Sequence, residues 1–68
     1  MDEVEVGPEG IRLGQLLKLA GLVEFGGSAK HVLATGAVIV NGRPETRRGA
    51  HLKPGDVIIF AGRKLRLT

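Results

Sequence analysis

The chain has 68 residues, 43% of them hydrophobic, with no cysteine and a formal charge of +3. A length of this order permits one domain that buries roughly 60% of its unfolded surface, which leaves little room for an enclosed pocket. The missing cysteines exclude disulfides, thiolate metal sites and cysteine nucleophiles and point to a reducing setting.

Residues 1 to 10 read as an acidic tail or edge strand. Val4 and Val6 alternate with acids in the strand period before Gly7-Pro8 and Gly10 break the pattern. Asp2, Glu3, Glu5 and Glu9 place −4 in residues 1 to 9, so the rest of the chain holds ten cations against three carboxylates, or +7. A body this basic favours nucleic acid, ribosomes or an anionic membrane, with a merely solvated basic face as the bland alternative. The tail's charge also makes it a candidate competitor for that face. The longest apolar run, Val57 to Ala61, falls far short of the ~20 residues that span a bilayer, and the acidic start is unlike a signal peptide. A cytoplasmic protein with no membrane partner is expected.

From Ile11 the pattern becomes helical, with Leu13, Leu16, Leu17 and Ala20 forming a core stripe and Arg12, Gln15 and Lys18 on the other side. Gly26-Gly27 interrupts. A second helix follows, with Ala29, Val32, Leu33 and Gly36 at the same spacing, Ser28 as a possible cap and Gly36 as terminator. Lys30 and His31 are expected in its first turn, one step off the buried stripe. Exposed amides at residues 27 to 30, Gly27 among them, together with the Lys30 ammonium can hold one phosphate oxygen. A ligand-free interhelical turn explains the same glycines equally well.

After Gly36 the pattern is that of strands. Ala37 to Val40 leads into Asn41-Gly42, the strongest short hairpin signal, and the return from Arg43 to Thr46 contains Pro44, which confines it to an edge or a bend. Lys53-Pro54-Gly55-Asp56 is a second turn, Val57 to Phe60 an apolar strand, Ala61 to Lys64 a third turn, and Leu65-Arg66-Leu67 a closing strand. The fold class is α+β: two short packed helices followed by a small, mostly antiparallel twisted sheet, forming one domain over residues 11–68.

Chemistry narrows the function. His31 and His51 supply the only imidazoles, with no carboxylate at ligand spacing, so no metal is expected. Ser28, His31 and Asp56 can be named as a hydrolytic triad, but a helix cap, a surface histidine and a turn aspartate explain them better. The P-loop pattern is incomplete, since Lys30 follows Ser28. No enzyme activity and no cofactor are expected. Arg47-Arg48 supplies two planar forks suited to phosphate, which would face opposite ways in a strand unless the backbone bends at Gly49. With no tryptophan or tyrosine and two phenylalanines, the chain lacks a stacking platform for single-stranded bases, which makes structured RNA the expected ligand.

These residues bear a family resemblance. Arg12-Leu13 opening the first helix, Ala29-Lys30 in the second, Gly36-Ala37-Val38-Ile39-Val40-Asn41-Gly42 and Gly55-Asp56 resemble, in order, the landmarks of the small RNA-binding domain named for the fourth protein of the small ribosomal subunit, the S-four domain. The match spans about residues 11 to 60, and the compact length resembles the family's stand-alone bacterial branch. The resemblance implies an alpha-L RNA-binding motif, in which the helix pair and adjoining β turn make one surface. It also implies RNA contacts at Arg12, Lys18, Lys30, Arg47 and Arg48. Gly27, His31 and Lys53 join them on charge, backbone and spacing. Many members carry Ser-Arg where this chain has Phe25-Gly26, and an acid where it has Gly14; by the family register Ser28 falls inside the first turn of the second helix. The expected protein is a monomer that docks on structured RNA, ribosomal or transfer RNA, with ribosome-associated proteins as further candidate partners. The alternative is an interaction module whose positive face meets an acidic partner protein.

Overall fold

The computed structural model describes residues 1–24 and 26–68, with the surroundings of Gly26 and Gly27 also outside the description. Among the described residues seven short strands and two helices follow one another: β1 (Asp2–Val4), β2 (Ile11–Arg12), α1 (Leu13–Leu19), α2 (Gly26–Ala34), β3 (Ile39–Val40), β4 (Arg43–Pro44), β5 (His51–Leu52), β6 (Val57–Phe60) and β7 (Arg63–Leu67). β1, β7, β6, β3 and β4 form one sheet in that order, and β2 pairs with β5 in a second. All pairings are antiparallel except that of β1 with β7.

One core joins the helices to both sheets. Leu13, Leu16 and Leu17 of α1, Ala29 and Leu33 of α2, Leu52 of β5, Ile58 of β6, and Leu65 and Leu67 of β7 are buried in a single cluster. Leu65 and Leu67, two apart on their strand, share a face, and Ile58 stands opposite Leu65. That inner face turns Lys64 and Arg66 outward, where both are exposed.

Several boundaries differ from expectation, four of them for a reason of pairing or backbone geometry. Ile11 and Arg12 are not helical: Ile11 pairs with Leu52 and Arg12 with His51, so α1 starts at Leu13. α1 ends at Leu19, well before Gly26, and is closed at Gly21 (φ 72°): the Gly21 N–H donates to Lys18 O at 3.0 Å and the Leu22 N–H to Leu17 O at 2.9 Å, a Schellman closure. α2 begins at Gly26, which makes Ser28 its third residue and Lys30 its fifth and puts His31 in the last turn. The third turn is only Ala61-Gly62, both at positive φ, because Arg63 and Lys64 already pair with Phe60 and Ile59. The Asn41-Gly42 turn, with φ of 51° and 83°, is as expected, but the strands it joins are shorter: β3 is Ile39–Val40 rather than Ala37 to Val40, and the return strand stops at Pro44 on the sheet edge, short of Thr46.

The acidic segment has a fixed place. β1 runs parallel to β7 along the sheet's other edge, continued by bonds from Thr68 N–H to Val4 O and from Val6 N–H to Thr68 O, both 2.9 Å. Asp2 pairs with Arg63 at 3.3 Å, and Glu3 stands beside Arg66 in register. Exposed acids on an edge strand discourage further strand addition.

Candidate nucleic-acid interface

The start of α1 and the turn at residues 47–50 are stitched together by three consecutive carbonyls. Arg48 O accepts from the Gly14 N–H at 2.9 Å, Gly49 O from Arg12 Nη1 at 3.0 Å, and Ala50 O from the Leu13 N–H at 2.9 Å. Within the turn the Ala50 N–H closes on Arg47 O at 3.1 Å. These contacts satisfy helix donors that would otherwise have no partner, and they bring a segment more than thirty residues away against the first turn of the helix. Arg12 is the residue that caps α1: its backbone is extended, and its N–H donates to Gln15 Oε1 at 3.2 Å.

Between these two elements lies an open groove of about 330 Å³, lined by Arg12, Gly14, Gln15, Lys18, Arg48 and Gly49. Gly14 and Lys18, four apart, and Gln15 and Lys18, three apart, share one side of the helix. The lining contains three cations, one amide and no carboxylate. Such a wall attracts anions and donates hydrogen bonds to them.

The groove thus unites Arg12, Lys18 and Arg48. Lys30 and His31 stand exposed on α2, which packs against α1. Lys53 lies beyond β5, in a turn whose Gly55 N–H bonds Leu67 O at 2.8 Å, and it is not among the groove residues. The surroundings of Gly27, and Phe25 altogether, lie outside the described residues. Gln15, Gly14 and Gly49 were not singled out as site residues, although the spacing of Arg12, Gln15 and Lys18 at three-residue steps already placed the glutamine beside the two cations.

Arg47 is occupied elsewhere. Its Nη2 and Nε donate to Glu45 Oε1 and Oε2 at 3.1 and 3.2 Å, and Oε2 also accepts the N–H groups of Thr46 and Arg47. The Arg47 side-chain bonds, then the backbone donors, hold the Glu45 carboxyl at about 2 against an ordinary 4.5. Since the folded value is the lower one, the stability this carboxylate adds is complete above about pH 4.5 and is lost as pH falls toward 2. Following the Glu45 side-chain carbonyl carbon by NMR should give a midpoint near pH 2, returning toward 4.5 in Arg47→Ala. An ordinary midpoint in the unsubstituted protein would refute the pairing.

Asn41, Asp56 and His51 serve the fold. Asp56 accepts from Asn41 Nδ2 and from the Lys53 N–H, both at 3.0 Å, while the Val57 N–H donates to Asn41 Oδ1 at 2.9 Å, which ties two turns together. His51 Nε2 donates to Glu9 O at 2.8 Å. Among the described residues no three His, Asp or Glu side chains gather as a metal site.

Comparison with known proteins gives this geometry a context. The profile of the S4 domain, the family named by its resemblance above, matches residues 4–68. The chain is 44% identical over 59 residues to "Probable ribosome maturation protein RlbA" of Bacillus subtilis, covering 87% of this chain and 83% of that protein. It is 39% identical over 58 residues to YbcJ of Escherichia coli, named for RNA binding, covering 85% and 83%. The solution structure of YbcJ, described as revealing an alpha-L motif involved in RNA binding, superposes with a TM-score of 0.75 at 35% identity, over all of this chain and 87% of that one. Helix pair, adjoining turn, sheet and sequence agree, and the chain belongs to the S4 domain family, with the α+β fold of the alpha-L motif.

Proposed function

We infer that this protein is a non-catalytic RNA-binding module, acting as a cytoplasmic monomer without a cofactor, whose groove between α1 and the 47–50 turn seats the backbone of structured RNA. Ribosomal RNA is the preferred target, in keeping with the ribosome-maturation name of the Bacillus relative; transfer RNA is the other structured candidate. The observation that carries the reading is the convergence of Arg12, Lys18 and Arg48 on one wall without a carboxylate among them. One of these cations caps α1 from β2, one lies in the last turn of that helix and the third comes from a distant turn, so their meeting is a product of the fold. Lys30 and His31, exposed on α2, are the further cations that an RNA passing from α1 to α2 would meet. Arg47 adds less while Glu45 holds it, and Lys53 and Gly27 contribute at the margin if the RNA reaches them.

Filter binding to deproteinised ribosomal RNA across a salt series tests the reading. Three phosphate contacts at about 0.7 to 0.9 each give a slope of log affinity against log salt of roughly −2 to −3. A flat response would remove the RNA assignment.

A further inference from the structure

Arg48 enters the groove by crossing the first turn of α1 where that turn has no side chain. A Cβ placed on Gly14 would stand 2.4 Å from Arg48 Cγ, 3.1 Å from its Cδ and 3.4 Å from its carbonyl oxygen. The same carbonyl is held by the Gly14 N–H at 2.9 Å, so the two backbones cannot part without losing that bond. Any relief has to come from the arginine side chain. Its Cγ is the first atom that χ1 moves, so a Cβ at position 14 is accommodated by a change of χ1 rotamer that sweeps the whole guanidinium off the helix.

Nothing else about position 14 calls for glycine. Its φ is not among the positive ones, so no left-handed backbone is needed there. It lies inside a helix, where glycine is the poorest residue short of proline. The close approach of Arg48 is what the missing side chain permits.

We propose that Gly14 is a positioning residue for RNA binding: by leaving α1 bare at that point it routes Arg48 into the groove beside Arg12 and Lys18, and so completes a three-cation site for backbone phosphate. The inference rests on the groove being the RNA surface. Side-chain size at position 14 then sets how many cations the groove presents, although this residue has no charge and no donor of its own to offer the RNA.

The test is a cycle of Gly14→Ala, Arg48→Ala and the double variant, read by filter binding of labelled deproteinised ribosomal RNA over a salt series, with melting curves alongside. Arg48→Ala should lessen the salt slope by about 0.7 to 0.9, Gly14→Ala by as much, and the double variant by no more than either. Arg48→Lys should keep the full slope. Melting separates a purely structural role: alanine at position 14 should raise the melting temperature in the Arg48→Ala background, where the helix gains and nothing clashes, and not in the Arg48 background. A reduced slope in Arg48→Ala with an unchanged one in Gly14→Ala overturns the positioning role and leaves the RNA reading standing. Unchanged slopes in Arg48→Ala and Lys18→Ala overturn both. Should Gly14→Ala fail to fold, the unsubstituted protein still decides the contact by NMR, since Gly14 Hα and the Arg48 Hγ protons must show a cross-relaxation peak, and its absence refutes the packing.

Discussion

Replacing Arg12, Lys18 and Arg48 together by glutamate is expected to lower affinity for deproteinised ribosomal RNA on the order of 10³-fold at low salt. The magnitude comes from about 1.5 kcal/mol for each charge-assisted contact and about 1.4 kcal/mol per decade of affinity. Net charge alone also weakens binding, so a control must change charge equally and leave the groove untouched. Arg43, Lys64 and Arg66 serve, because all three are exposed and none lines the groove. Their joint reversal alters the formal charge by the same amount and should reduce affinity far less. Circular dichroism must show that both triple variants fold, since Arg12 also donates to Gly49 O. Equal losses in the two triples would mean that RNA responds to overall charge, and the groove would lose its standing as the site.

Gly10→Ala should destabilise the domain by about 3 kcal/mol, the largest single-residue effect foreseen here. Gly10 has φ of 76°, and a Cβ there would meet Leu52 O at 2.0 Å and His51 Nε2 at 3.0 Å. Left-handed backbone alone accounts for about 1 to 2 kcal/mol in a residue with a side chain. The remainder comes from forcing β2 away from β5, because the oxygen in the way belongs to backbone and cannot rotate aside. A chain of this length has a total stability of roughly 3 to 10 kcal/mol, so the substitution removes a large part of it. Gly7→Ala separates the two contributions: Gly7 has a φ of 74° with nothing within 4 Å of the added atom. Urea denaturation should place Gly7→Ala about 1 kcal/mol below the unsubstituted protein and Gly10→Ala well below that. Similar midpoints for the two variants would show that the β2–β5 approach is looser than described. The effect reaches function as well, since Arg12 sits on β2 and the bond from His51 to Glu9 O crosses the same junction.

Local physics was enough for much of the architecture. The 3.6-residue stripe of Leu13, Leu16 and Leu17, the Asn41-Gly42 turn, the edge position that Pro44 imposes on the return strand and the apolar run at Val57 to Phe60 all depend on residues near one another in the chain, and each could be read there. The S4 landmarks were legible for the same reason, being short runs of residues in a constant order. Ile11-Arg12 could not be read, because an apolar residue and an arginine ahead of a helix continue the helical pattern equally well. Only pairing with His51-Leu52, some forty residues on, makes them a strand.

The sequence by itself determined the fold class, the family, the basic character of the body and Arg12, Lys18 and Arg48 as candidate contacts. The tertiary structure decided which cations meet. Arg47 and Arg48 are adjacent and chemically identical, yet one closes on Glu45 and the other crosses Gly14 into the groove, and that division is set by carbonyls of the 48–50 turn bonding to the start of α1. It also placed Asp2 and Glu3 on the β1 edge against β7, and none of the carboxylates of residues 1 to 9 lines the groove. The physical reason is one of range. Helix periodicity and turn preference act over a few residues, whereas a cation's partner is settled by packing and hydrogen bonds that join segments far apart in the chain.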